Sequence, residues 1–236
     1  MELPRRFETT YRGAPEQRPI VVRPGVDPAA VDPLLERLQA VDWAELYHAY
    51  GPATDVPGQL AAVIVGDDQT RAEAWANLWG NIHHQGTIYE ATVPAVPIVL
   101  DVAGWREHPD RVEALWMLRE IGDAEGVSVW RYDSRGEIVA DEDAQERLYP
   151  ELRSELTAGS ARLLERWRSE PDDVQRALLW LLSVLPDLRA QHGDLIREIL
   201  PERHRRAWEL VIAAEWDEDE DAVEALEEWA QSGSDR

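Results

Sequence analysis

DQTRAEAWANLW, running from Asp68 to Trp79, opens on acids and then sets an arginine, small alanines and large apolar residues at helical spacing. Nearly the same text returns as DRVEALWML from Asp110 to Leu118, as DDVQRALLWLL from Asp172 to Leu182, and as ERHRRAWELV from Glu202 to Val211. Aligned on the alanine, Ala74, Ala114, Ala177 and Ala207 fall in equivalent positions, each with a large apolar residue four later: Leu78, Leu118, Leu181 and Val211. The alanines are 40, 63 and 30 residues apart. Self-similarity on this scale predicts stacked helical pairs, because a single pair cannot bury its own apolar face and needs its neighbours. The expected fold class is therefore all-α, an α-solenoid of antiparallel helix pairs.

The text around the repeats fills in the rest. Residues 1–27 carry Pro4, Pro15, Pro19 and Pro24 with no helical period, and read as an irregular arm with a short extended piece at Ile20 to Arg23. Asp27-Pro28 starts a helix whose stripe is Val31, Leu34, Leu35 and Leu38. A short helix is expected from Trp43 to Ala49, stopped by Gly51-Pro52, and another from Val56 to Val65, capped by Asp55 and ended by Gly66. The first repeat helix covers about Gln69 to Ile82, followed by a loop from His83 to Tyr89 and a partner helix from Ala91 to Val102. Pro97 should kink that partner or delay its start. The 63-residue gap holds an insertion at about 126–144, in which Val127 to Tyr132 and Glu137 to Ala140 alternate like a hairpin around Asp133 to Gly136, with an ordered loop as the alternative. Helix resumes near Gln145, with a long one from Leu152 to Arg168. Short helices follow at Asp194 to Leu200 and, as a cap, at Ala222 to Gln231. Domain boundaries follow: an arm at 1–27, the repeat body at 28–213, and an acidic capping helix with its tail at 214–236.

Composition narrows the function classes. The chain has 236 residues, no cysteine and no lysine, so thiol chemistry, zinc thiolates and lysine Schiff bases are excluded. Its net charge of −23 argues against nucleic acid, whose phosphates call for a basic surface, and favours a basic protein partner. The amino-terminal MELPRRFETTYRG lacks an apolar core segment, and the longest apolar run, Ala177 to Pro186, is about half a membrane span. The expectation is a cytoplasmic protein with no membrane association. Charge is uneven: Glu215 to Glu228 holds nine acids and no arginine.

The string from Trp79 to Pro97, WGNIHHQGTIYEATVPAVP, resembles a bacterial group of HEAT-repeat-like proteins common in actinobacteria. Asp42-Trp43, His48-Ala-Tyr-Gly51 and Asp55-Val-Pro57 are similar to that group's "DW…HAYG…DVP" pattern, and Glu151 to Pro186 is similar to its later helix pair. The likeness covers residues 42–213, and Glu90 departs from it where the group tends to have proline. The resemblance implies a HEAT-like α-solenoid, and roles as scaffolds or as immunity proteins against toxins.

The candidate site is the segment from Asn81 to Thr92. His83 and His84 with Glu90 could ligate a metal, or a histidine could act as a base oriented by Glu90. Adjacent histidines at a helix end point about 100° apart, a poor chelating pair, and no nucleophile lies beside them. The plainer reading makes Gly86 the turn, lets Asn81 and Gln85 satisfy loop backbone, and packs Tyr89. As a docking surface the segment would use Trp79, His83, His84, Gln85 and Tyr89 together with Trp43 and Tyr47, with Asp217, Glu218, Asp219, Glu220 and Asp221 as a secondary acidic contact. Trp116, Trp180 and Trp208 inside repeat helices fill core, whereas Trp43, Trp79, Trp105 and Trp130 sit where an indole can line a groove. Arg71, Arg111, Arg176 and Arg205 could form a ladder, but local pairing is the simpler expectation. The leading function is a non-enzymatic protein-binding α-solenoid, with an immunity or inhibitor protein for a basic partner as its specific form. No cofactor or metal is implied. The alternatives are an enzyme centred on His83, His84 and Glu90, and an assembly scaffold.

Overall fold

The computed structural model describes residues 20–132, 138–185 and 188, and these are mostly helical with small sheets. The fourth repeat copy, the helices expected after Asp194, Arg205, Trp208 and the acidic contact at Asp217 to Asp221 lie outside the described residues. The chain forms two compact units. One comprises Met1–Ile98 with Ala124–Tyr149, the other Val99–Asp123 with Pro150–Arg236. No helix among the described residues is long and apolar enough to cross a membrane.

In the first unit, α1 (Pro28–Ala40) begins where Asp27 accepts a hydrogen bond from the Ala29 amide, and proline occupies its first turn. It buries Val31, Leu35 and Leu38 against α2 (Val56–Val65). α2 is apolar nearly all round, and α3 (Asp68–Asn81) also packs on it. Asp67 caps α3 by accepting from the Thr70 amide. The expected extended piece near Ile20 is present as a bridge between Val22 and Gly66.

Between α1 and α2 the chain departs from expectation. Trp43–Glu45 is a single 3-10 turn, and Tyr47 leaves helical geometry for a strand. β1 (Tyr47–His48) pairs antiparallel with β2 (Gly51–Pro52). A second tight hairpin follows α3, in which β3 (His83–His84) pairs with β4 (Thr87–Tyr89) and His84 faces Thr87. Its two turn residues, Gln85 and Gly86, have φ of +50° and +73°, the geometry of a type I′ turn. What reads locally as a loop is thus an ordered hairpin. β4 then pairs in parallel with β5 (Gly126–Ser128), placing Ile88 opposite Val127. The hairpin expected in the insertion forms between β6 (Trp130–Tyr132) and β7 (Ile138–Ala140). α4 (Thr92–Gly104) runs through Pro97 without starting or stopping there.

In the second unit, α5 (Arg111–Gly122) packs on α7 (Asp172–Ser183). α6 (Glu142–Leu164), whose residues up to Tyr149 belong to the first unit and from Pro150 to the second, is one continuous helix with Pro150 inside it, where two separate helices were expected. A 3-10 turn at Trp167–Ser169 follows α6. The aligned repeat positions Ala74, Leu78, Ala114, Leu118, Ala177 and Leu181 are all buried, so the repeated text is core text. Two of its arginines, Arg71 and Arg111, pair as the simpler expectation had it. Arg71 donates to the Gly66 carbonyl and pairs with Asp68, while Arg111 donates to the Ala103 carbonyl and pairs with buried Glu170 at 2.7 Å. Each therefore satisfies a carbonyl at or just past the end of the preceding helix. Trp180 is buried beside half-buried Trp116, with the Arg119 guanidinium 4.6 Å from the Trp180 ring centre.

Candidate functional site

The β1–β2 and β3–β4 hairpins gather a buried polar cluster. At its centre is Asp55, 0% exposed, immediately before α2. Its expected capping role is not what the side chain does: it makes no cap hydrogen bond and turns inward. Asp55 Oδ1 lies 2.9 Å from His48 Nε2, and Oδ2 accepts from Gln59 Nε2 at 2.5 Å and from Asn81 Nδ2 at 2.7 Å. Asn81 Nδ2 also reaches Gln59 Oε1 at 3.2 Å. One buried carboxylate thereby joins β1, the first turn of α2 and the last residue of α3. The Ala49 amide adds a bond to the Asn81 carbonyl at 3.0 Å. A buried charge is tolerable only when it is bonded in this way.

The imidazole is equally committed. His48 is 2% exposed, and its Nδ1 accepts the Tyr50 backbone N–H at 3.0 Å. An amide can only donate, so Nδ1 holds the lone pair and Nε2 carries the proton given to Asp55. A histidine–aspartate pair usually suggests a general base. Here neither nitrogen is open to a substrate, and the pair fixes the turn at Ala49–Tyr50.

That turn displays Tyr50, which is 64% exposed, among the few large apolar residues so presented. Its ring meets His48 edge-on at 6.2 Å and His84 at 5.3 Å, and its hydroxyl lies 3.4 Å from His84 Nδ1. Tyr89 is buried close by. Burial pushes its phenol above the ordinary tyrosine value, and the neighbouring Tyr50 phenol adds to the rise.

The sequence-expected residues divide sharply. Trp43 is 5% exposed and donates from its indole to the Leu38 carbonyl, so it is core and lines no surface. His83 and His84 are consecutive strand residues and point to opposite faces, His83 against Trp79 and His84 toward Tyr50. They share no ligand face, and no cluster of three metal-ligating side chains occurs among the described residues. Glu90 and Tyr89 are buried; Tyr47, Trp79 and His84 are half-buried; Gln85 is exposed. Asn81 lies at the start of the expected segment, but its side chain serves Asp55 and Gln59 and not the loop backbone, while Tyr50, His48, Asp55 and Gln59 lie outside that segment. The available signal was a polar residue close to the start of each hairpin: His48 three residues before Gly51, and Asn81 at the end of α3, five before Gly86.

No family model matches the chain, and neither does any curated protein or solved structure.

Proposed function

We propose that this chain is a protein-binding module with no catalytic role, which docks a basic protein through the Tyr50–His84–Gln85 surface. The observation that carries the reading is Tyr50, a large aromatic held out to solvent by a fully bonded buried network. A pre-ordered aromatic binds with little loss of conformational freedom, which is why tyrosine recurs among binding hot spots. Tyr47, on β1 three residues before it, is half-buried, whereas Trp79 packs on His83 at the other face of β3. The net charge of −23 supplies attraction for a basic partner, and Asp42, Glu45 and Glu125 are exposed carboxylates on the segments that frame the two hairpins. The HEAT-like α-solenoid implied by the repeats remains our reading of the scaffold. It is supported by the common alanine–leucine register buried in α3, α5 and α7. An immunity or inhibitor role is the specific form we favour.

The test is recovery of the partner from the native host, followed by binding measurements with the purified pair. We expect a basic partner whose affinity weakens as salt rises, and a loss of about thirtyfold for Tyr50→Ala, the scale of a hot-spot aromatic. Val21→Ala, at an exposed site before α1, should change nothing. A partner indifferent to both Tyr50→Ala and salt would overturn the proposal. A toxin-like gene beside the coding sequence would favour immunity over scaffolding.

A further inference from the structure

We infer that the His48–Asp55 pair is a proton-sensitive latch that sets whether the Ala49–Tyr50 turn is held shut. The inference about the latch stands on hydrogen-bond geometry alone; its consequence for partner binding rests on the docking reading above. His48 Nδ1 accepts the Tyr50 amide, while Nε2 gives its proton to Asp55. A second proton on the ring can be placed only at Nδ1. There it would face the Tyr50 N–H as one donor against another, so proton uptake and the Tyr50 amide bond exclude each other.

The other half of the geometry gives the proton a reason to stay. Asp55 is wholly buried, and its hydrogen-bond donors Gln59 and Asn81 are neutral. With neutral His48 the cluster holds one uncompensated negative charge, and an imidazolium on Nε2 would balance it without moving Asp55. Acidification therefore trades the backbone bond of the turn for a buried ion pair. The ring stays on Asp55 while the Tyr50 backbone is let go. The titratable groups around the imidazole are Asp55 at the start of α2, Tyr50 on its own turn and, through Tyr50, His84 of β3 and Tyr89 of β4. Only histidine among these ordinarily changes charge between about pH 5 and 8, so His84 is the group to be separated from His48.

The experiment follows His48 ring nitrogen shifts and Tyr50 amide exchange by NMR over that pH range, correcting exchange for its intrinsic pH dependence. At the upper end the ring should show the tautomer protonated at Nε2. As it gains its second proton, Tyr50 protection should fall about five- to tenfold, the scale of one backbone hydrogen bond. The Ile82 amide, bound to the Leu78 carbonyl at 3.0 Å, should keep its protection throughout. His84→Gln should leave the step in place. His48→Gln, which can still donate to Asp55 but does not titrate, should remove it. A ring that protonates while Tyr50 stays protected would overturn the latch, as would a ring that keeps one tautomer throughout, or a step abolished by His84→Gln. Wild-type and His84→Gln spectra decide the matter even if His48→Gln does not fold. Once a partner is in hand, a latch that opens without weakening binding counts against the docking surface alone. Binding that weakens while His48 and Tyr50 stay unchanged counts against the latch alone.

Discussion

Replacing Asp55 with alanine should be among the most damaging single changes in the first unit, and its size can be worked from the bonds it removes. The carboxylate meets three buried donors: His48 Nε2, Gln59 Nε2 and Asn81 Nδ2. Each buried donor left without an acceptor costs about 1–3 kcal/mol, so the gross loss is about 3–9 kcal/mol. Two effects reduce it. Gln59 Oε1 already accepts from Asn81 and would keep doing so, and the unfavourable burial of the charge itself disappears. The expected net loss is about 3–5 kcal/mol, a large share of the 5–15 kcal/mol that holds a typical domain together. Asp55→Asn should fall between alanine and wild type, at about 1–3 kcal/mol. Its amide keeps one oxygen but turns an NH2 group toward a donor, and His48 cannot switch tautomer because Nδ1 is held by the Tyr50 amide. The assay is urea unfolding read at amides of α2 and α3, because fluorescence from 11 tryptophans would average over the chain. An Asp55→Ala protein within about 1 kcal/mol of wild type would refute the network as the frame of the site.

Other substitutions test neighbouring conclusions. Gln85 is the only described non-glycine residue at positive φ, so Gln85→Asn should stabilise the β3–β4 hairpin by about 0.5–1 kcal/mol in the same urea assay. Arg111→Ala would strand the buried Glu170 carboxylate; although Arg166 lies 3.6 Å from it, we expect a loss of about 3–5 kcal/mol from the second unit, read at α5 and α7 amides. Gly159→Ala should destabilise the same unit despite better helix propensity, because its Cβ would press into the buried Leu100 side chain. Overpacking of about 1–3 kcal/mol outweighs a propensity gain near 1 kcal/mol. Tyr89 should titrate above the usual phenol range, mainly from burial, so Tyr50→Phe should lower its pKa only in part when the ring is followed by NMR. Because the folded value is raised, Tyr89 makes stability fall as pH climbs from the unfolded value, about 10, through the folded one.

How far the fold could be read before the structure depended on whether a residue's partners were near or far along the chain. The span of α2 was legible because Asp55-Val-Pro and Gly66 bracket a continuous apolar run, and helix boundaries are set by neighbours. The register of α3, α5 and α7 was legible because an alanine and a large apolar residue four later lie on one helix face. The gap expected between a helix resuming near Gln145 and one starting at Leu152 is bridged because proline is disruptive only where the freed carbonyl has no other partner. Glu146 and Pro150 are both exposed, so the carbonyl four residues before Pro150 can face water and α6 continues. The alternation in the insertion showed β6 and β7, but β1, β2 and β3 escaped because each is two residues long, too short for any period to show. β5 pairs with β4 across nearly forty residues, with no local turn to announce it.

The site failed to read for the same reason, and that failure says something about its nature. Asp55 fits the local rule for a helix cap, yet its side chain answers to His48, Gln59 and Asn81, two of them in other elements. His48 fits no motif because its role is to accept one amide and hold one carboxylate. A side chain that breaks a local preference to serve a distant set of partners is where strain or function is expected in a folded chain. Stability alone would be served as well by apolar residues packed at these four positions, which commonly match or exceed a buried charge in stabilising power. An apolar substitute for His48 could not also accept the Tyr50 amide. The polar frame therefore makes most sense as a device for holding that turn, and its aromatic side chain, in one place.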